Sequence, residues 1–325
     1  MLANTLSISL TLSLLLPIGL TADTSLSNDI VGCREASCPS SNGNYHCTVG
    51  QNNFTDVGLA RIPDVPSPLN GLSWVKGVSV EDKGRIDKSE QNRQIKSTYY
   101  LGTPSNLNTT SLNGCAVFFH DALSKQFQQP KSLTSNGTDR ANTTDIPASY
   151  GTCPDVIDQR CIDALQKRAQ DVARNGTSCT ALFQDLRRSS LDECSALTRT
   201  GLGNFTVTPL NESAPLTQSR NSSSDCWPVL PKSDNLTQIT DHTVMTNGTA
   251  TALTSQLYKI TPILTVFFPA NGSNSLVDSP SSQLTCLKAV HAEDLDADDA
   301  DENSASLLSS NLLGGILVAA LVSMI

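Results

Sequence analysis

Residues that usually carry chemistry are scarce in this chain. Four histidines, three methionines and two tryptophans are spread over 325 residues, and aromatic side chains make up only 5%. No H-E-x-x-H, no G-x-S-x-G and no phosphate-cradling glycine loop occurs, so the common zinc-protease, serine-hydrolase and P-loop signatures are absent. There is no C-x-x-C and no Cys–His pair at zinc-ligand spacing, which argues against a structural zinc. Basic residues are outnumbered, 22 Lys and Arg against 31 Asp and Glu, so a nucleic-acid footprint is missing. Neither cofactor nor metal is expected.

Long apolar runs are also few, and both lie at the ends. "LSISLTLSLLLPIGLTA" reads as the apolar region of a signal peptide, with cleavage after Ala22. At the other end, Leu312 to Ile325 would span roughly 21 Å as a helix, short against a hydrocarbon core of about 30 Å. No Lys or Arg follows it. A GPI-attachment signal fits better than a single-pass helix: small residues, a polar spacer of about 8–12 residues, then a hydrophobic tail. Asn303 is the expected attachment residue, with Ser304 the next candidate, and residues 304–325 would be removed. The expected partner is the outer leaflet of the plasma membrane, reached through the GPI lipid, with cell-wall polysaccharide as a further candidate.

What the chain does have suits the secretory pathway. Eleven N-x-[ST] sequons occur, at Asn53, Asn108, Asn136, Asn142, Asn175, Asn204, Asn211, Asn221, Asn235, Asn247 and Asn271. Ten cysteines, Cys33, Cys38, Cys47, Cys115, Cys153, Cys161, Cys179, Cys194, Cys226 and Cys286, read as a disulfide framework. The formal charge is −9, and "EDLDADDADE" (293–302) holds seven acids and no base, leaving −2 for the rest. That stretch begins like an EF-hand loop, but Asp299 stands where Gly is needed and Ala305 where a bidentate Glu is needed. It reads instead as an extended acidic stalk (293–303).

Residues 23–292 are then expected to form one extracellular domain. Strands are expected in "LSWVKGVSV", where Leu72, Trp74, Val78 and Val80 share one face, in "STYYLG" and in "GCAVFFH". "YKITPILTVFFP" and "LTCLKAV" suggest a hairpin, with Pro262 expected to bend its strand or sit at a sheet edge. From Pro154 to Arg174 the apolar spacing is helical; "NGT" at 175–177 breaks it and a second helix follows. A helical hairpin at about 154–198 would place Cys161 opposite Cys194, predicting that disulfide. Residues 202–247 read mostly as decorated loop with one strand at "NFTVTPL". The expected fold is α+β: a mainly antiparallel β-sandwich with an inserted, disulfide-pinned helical hairpin.

Candidate catalytic groups are weak. In "FFHD", Asp121 could orient His120; His46, His242 and His291 have no suggestive context. Glycoside hydrolysis needs two carboxylates but leaves no local signature, so Asp56, Asp64, Glu81, Asp82, Asp121, Asp155 and Asp185 are equal candidates. Trp74 is placed on an apolar strand face and reads as core, and Trp227, beside Cys226, reads as packing on a disulfide.

The signals, sequons and cysteines together resemble the GPI-anchored surface proteins of filamentous ascomycete fungi. "GLSWVKGVSV", "STYYLGTPSNLNTTSLNGCAVFF" and the helical "CIDALQKRA" stretch resemble a family of secreted fungal glycoproteins with no assigned activity. The resemblance covers about Gly71 to Leu197 and implies location, not mechanism. The cysteine spread is unlike fungal haem-binding modules, and a mature chain starting at Asp23 has no N-terminal histidine for a copper brace. The expectation is a surface or wall glycoprotein with a structural, adhesive or recognition role; the alternative is a wall-polysaccharide glycosidase or transglycosylase.

Overall fold

The computed structural model describes residues 30–32, 36, 40–41, 44–45, 47–82, 93–107, 111–125, 152–175, 178–212, 215–216, 226–246, 259–270 and 275–289. The strands run in chain order as β1 (Ser40–Ser41), β2 (Asn44–Tyr45), β3 (Cys47–Val49), β4 (Asn52–Phe54), β5 (Asp56–Arg61), β6 (Ser73–Asp82), β7 (Arg93–Thr103), β8 (Gly114–Phe119), β9 (Phe205–Pro209), β10 (Asn235–Thr246), β11 (Thr261–Phe267) and β12 (Ser281–Leu287). Three α-helices, α1 (Cys153–Val156), α2 (Gln159–Asn175) and α3 (Cys179–Arg188), lie between β8 and β9.

Two four-stranded antiparallel sheets, ordered β10-β7-β6-β5 and β12-β11-β8-β9, face one another. Between them lie Trp74, Tyr99 and Leu101 from the first sheet and Phe118, Ile263 and Phe267 from the second. Trp74 stands edge-on to Phe118 at 5.4 Å and donates its indole N–H to Thr265 Oγ1 at 2.9 Å. That bond resolves the one polar atom of a fully buried indole.

Both outer faces are covered as well. On the second sheet, Val117, Phe119, Leu264 and Leu284 pack against Leu165 and Ala169 of α2 and Leu182 and Leu186 of α3. On the first, Leu59, Val75 and Tyr100 pack against Val49 and Phe54 of the β3–β4 hairpin and against Cys226 and Val229. Phe54 lies so close over Gly77 that a Cβ there would fall 2.6 Å from its ring, which explains the glycine. Strands covered on both faces read as continuous apolar runs, as "CAVFF" does.

The helical region differs in detail from expectation. Thr152 and Asp155 form a capping box at α1, with Thr152 N–H donating to Asp155 Oδ2 at 2.6 Å. Ile157 then turns extended, so the predicted first helix is two pieces. Ser178 caps α3 by accepting from Ala181 N–H. α3 stops at Arg188, and Cys194 sits in a short 3₁₀ turn (Asp192–Cys194) rather than on the second helix. The Cys161–Cys194 disulfide is nonetheless present, with Cα atoms 4.7 Å apart. Arg168 of α2 also grips Asp185 of α3 with both guanidinium branches, at 2.5 and 3.0 Å.

Three further bridges tie layer to layer: Cys115–Cys179 and Cys153–Cys286 join helices to the second sheet, and Cys47–Cys226 closes the outer face of the first. Cys33 and Cys38 lie outside the described residues. Because the Cys161–Cys194 bridge closes a loop of 33 residues, its removal should relax the unfolded chain considerably. Replacing both cysteines with alanine is expected to lower stability by about 3 kcal/mol, read from guanidinium unfolding midpoints. An unchanged midpoint would mean that packing and the Arg168–Asp185 pair hold the helices without the bridge.

Pro262 corrects one expectation. Its strand, β11, is interior and pairs with both β12 and β8. The β8 ladder begins only at Ile263, so a proline at the second position costs little.

Candidate functional site

The sandwich has two ends. At one of them, the exit end, β8 finishes at Phe119, β11 starts at Thr261, and β12 finishes at Leu287. Here the period of β6 has an unexpected consequence. Trp74 and Val78 point inward, so Lys76 between them does too, and it is fully buried. Its amine donates to Lys259 O at 2.9 Å and to Thr261 Oγ1 at 3.3 Å. Tyr99 OH completes the group, 3.1 Å from the same Thr261 hydroxyl. Burial, reinforced by Lys259 and Lys288, pushes the Lys76 amine down to about 7. Burial likewise pushes the Tyr99 phenol up to about 12.

Next to this group, His120 and His242 stack with ring centroids 3.9 Å apart and planes 10° from parallel. His120 follows β8 and is buried, whereas His242 sits in β10 and is half-buried. The pair therefore spans the two sheets. His120 Nε2 lies 2.9 Å from Thr206 Oγ1, and Lys259 Nζ donates to His120 O at 2.8 Å. Burial and the cations around it push His120 down to about 3. His242 is lowered by burial, Lys259 and Lys76, with Asp121 and Asp241 opposing.

Asp121 does not orient His120. Its Oδ2 accepts from Asn204 N–H at 2.9 Å, fixing the turn that leads into β9. Asp155 caps α1, Asp185 binds Arg168, Asp56 is buried in β5, and Asp64 occupies a turn at φ 48°. The side chains of Glu81 and Asp82, like all of His46 and His291, lie outside the described residues. None of these carboxylates lines the cleft beside α3. Among the described residues, no group of three His, Cys, Asp or Glu side chains could hold a metal ion.

A shallow cleft of about 360 Å³ opens at this end, where α3 and the loop before β9 meet. Arg187, Ser190, Asp192, Ser195 and Thr200 supply its polar lining, and Asp192 is its one carboxylate. Gly203 and Phe205 also line it, so exposed Asn204 between them stands at the rim. The tryptophans are elsewhere: Trp74 is core, and Trp227 packs beside the Cys47–Cys226 bridge, its indole N–H on Asp234 O at 2.9 Å.

Five sequon asparagines fall among the described residues. Asn53, Asn175, Asn204 and Asn211 are exposed and Asn235 is half-buried. Asn108, Asn136, Asn142, Asn221, Asn247 and Asn271 lie outside, as do Asn303, Ser304, the signal segment and the stalk. Asn175, Asn211 and Asn235 mark the end opposite the exit. Asn211 follows β9, Asn235 pairs with Thr103, and α2 reaches its last turns beside Ser282. Sequence reasoning does not single out Lys76, although the period-two alternation that sets Trp74 and Val78 inward places it on the same face. No family model, curated protein or solved structure matches the chain.

Proposed function

We propose that this chain is the body of a GPI-anchored, N-glycosylated glycoprotein of the cell surface or wall, with a structural, adhesive or recognition role. The observation that carries the reading is the distribution of sequons over the sandwich. Three of the five described sequon asparagines lie at the end of the sandwich opposite the one where β12 finishes at Leu287. Anchored at Asn303, the molecule would present that sugar-bearing end outward. Four disulfides among the described residues, pinning the layers that cover both outer faces of the sandwich, suit a body exposed to an oxidising exterior.

The wall-remodelling alternative draws less support. A glycosidase requires two carboxylates flanking one bond, about 5–10 Å apart and open to a polymer. The cleft beside α3 offers Asp192 alone, and a glycan on Asn204 would crowd its rim. The deciding experiment incubates the purified mature glycoprotein with insoluble β-glucan, chitin and mannan, assaying retention and release of reducing ends. No soluble sugar is expected. Retention on one polymer identifies a wall-binding module, and retention on none leaves a structural coat. Release of soluble sugar would overturn the proposal.

A further inference from the structure

We propose that the stacked His120–His242 pair is an acid-sensitive latch that closes one seam of the sandwich. The seam lies between β9 and β10, the edge strands of the two sheets on the same side. His120 leads out of β8 and its imidazole is bonded to Thr206 of β9, while His242 belongs to β10. The two rings thus form one contact between the edge strands, at the exit end of the seam, while Ile239 and Leu210 share the core further along.

The geometry disfavours protonation of the rings. Parallel faces 3.9 Å apart leave no space for an anion between two imidazoliums. With Nε2 committed to Thr206, His120 Nδ1 is buried without a hydrogen-bond partner. As a bare lone pair it is tolerable there; as an N–H it would be a buried donor with no acceptor.

The surrounding charges act in the same direction. Lys76 approaches from β6 and Lys259 from the segment entering β11. Tyr99 on β7 is neutral and bound to Thr261. Two acids face the pair, Asp121 after β8 and Asp241 on β10, and both are engaged. Asp121 holds Asn204 N–H, and Asp241 pairs with Lys96 of β7 at 3.2 Å. A proton arriving on either ring therefore meets amines sooner than carboxylates. It can be accommodated only if the rings part and half-buried His242 turns to water, which frees β10 from β9. Separation there breaks no interior ladder, since β7 and β8 keep their inner partners.

The sign follows from linkage. A histidine held below its ordinary value favours the closed form fully above pH 6.5, and this preference is lost as pH falls toward about 3. Hydrogen exchange of the intact glycoprotein, corrected for intrinsic rates and followed by mass spectrometry across that interval, tests the latch. Peptides of β9 and of the second half of β10 are expected to lose protection by about tenfold or more, while β6, β8 and α2 keep theirs. His242→Phe keeps a flat ring without a titrating nitrogen and should move the transition down by about one pH unit. His242→Lys places a fixed charge there and should open the same peptides at neutral pH. If it does not fold, the phenylalanine variant still decides. Loss of protection in all elements together, or a transition unmoved by His242→Phe, overturns the proposal.

Discussion

Trp74→Ala is expected to cost about 4 kcal/mol, a large share of the roughly 5–15 kcal/mol that holds a typical domain folded. The indole is fully buried at the middle of the sandwich, packed edge-on against Phe118, and its N–H is spent on Thr265 across the sheets. Truncation removes the largest fully buried side chain among the described residues and opens a cavity between two packed sheets that cannot readily collapse. Trp74→Phe retains most of the apolar volume and loses the bond to Thr265, so about 1–2 kcal/mol is expected. Guanidinium unfolding followed by far-UV circular dichroism measures both. This pair also separates structure from recognition. A sugar-stacking tryptophan would lose polysaccharide retention in the phenylalanine variant while keeping its stability. Here the reverse is expected, with lower stability and unchanged retention.

That tryptophan was legible in the sequence because two independent signals agreed: alternation over "LSWVKGVSV" and the apolar neighbours Leu72 and Val78. The helical hairpin and the Cys161–Cys194 bridge were legible for a similar reason, since helical spacing, a break at residues 175–177 and two cysteines at matching distances coincide. β8, β11 and β12 announced themselves as apolar runs. β10 did not. "NLTQITDHTVMT" is polar and lies among sequons, so it read as loop, yet Leu236 and Ile239 are buried and it pairs with β7 along its length. Threonine suits an edge strand with one wet face, and composition alone does not separate that from decorated loop. β3, β4 and β5 were missed because their apolar residues face a disulfide-closed loop formed from residues near Cys226, far along the chain. The basic cluster was illegible for the same reason: its members come from β6, β10, the residue after β8 and the segment entering β11, and no local pattern joins them.

Lys76→Met tests that cluster most directly, because its effect should change sign with pH. In the folded protein the amine is held near 7, against 10.5 when exposed. Between these values the unfolded chain binds the proton more tightly than the folded one, so stability rises as pH climbs from about 7 toward 10.5. At and below pH 7 the folded protein bears the whole cost of a buried cation, which for a shift of this size is a few kcal/mol. Methionine has a similar length, no charge and a flexible shape suited to an existing apolar site. It also abandons the bonds to Lys259 O and Thr261 Oγ1, a loss of about 1–2 kcal/mol. The variant should therefore be more stable than the parent at about pH 6 and less stable at about pH 10, with unfolding midpoints crossing in between. A stability difference independent of pH would show that the Lys76 amine titrates alike in both states. In that case the group would be an ordinary hydrogen-bonded cation, and the field it exerts on His120 and His242 would persist across the whole alkaline range. A crossing, by contrast, means that Lys76 is largely uncharged above neutrality and charged below it. The repulsion acting on the histidine stack would then be fully developed in the acid range, where the latch is expected to open.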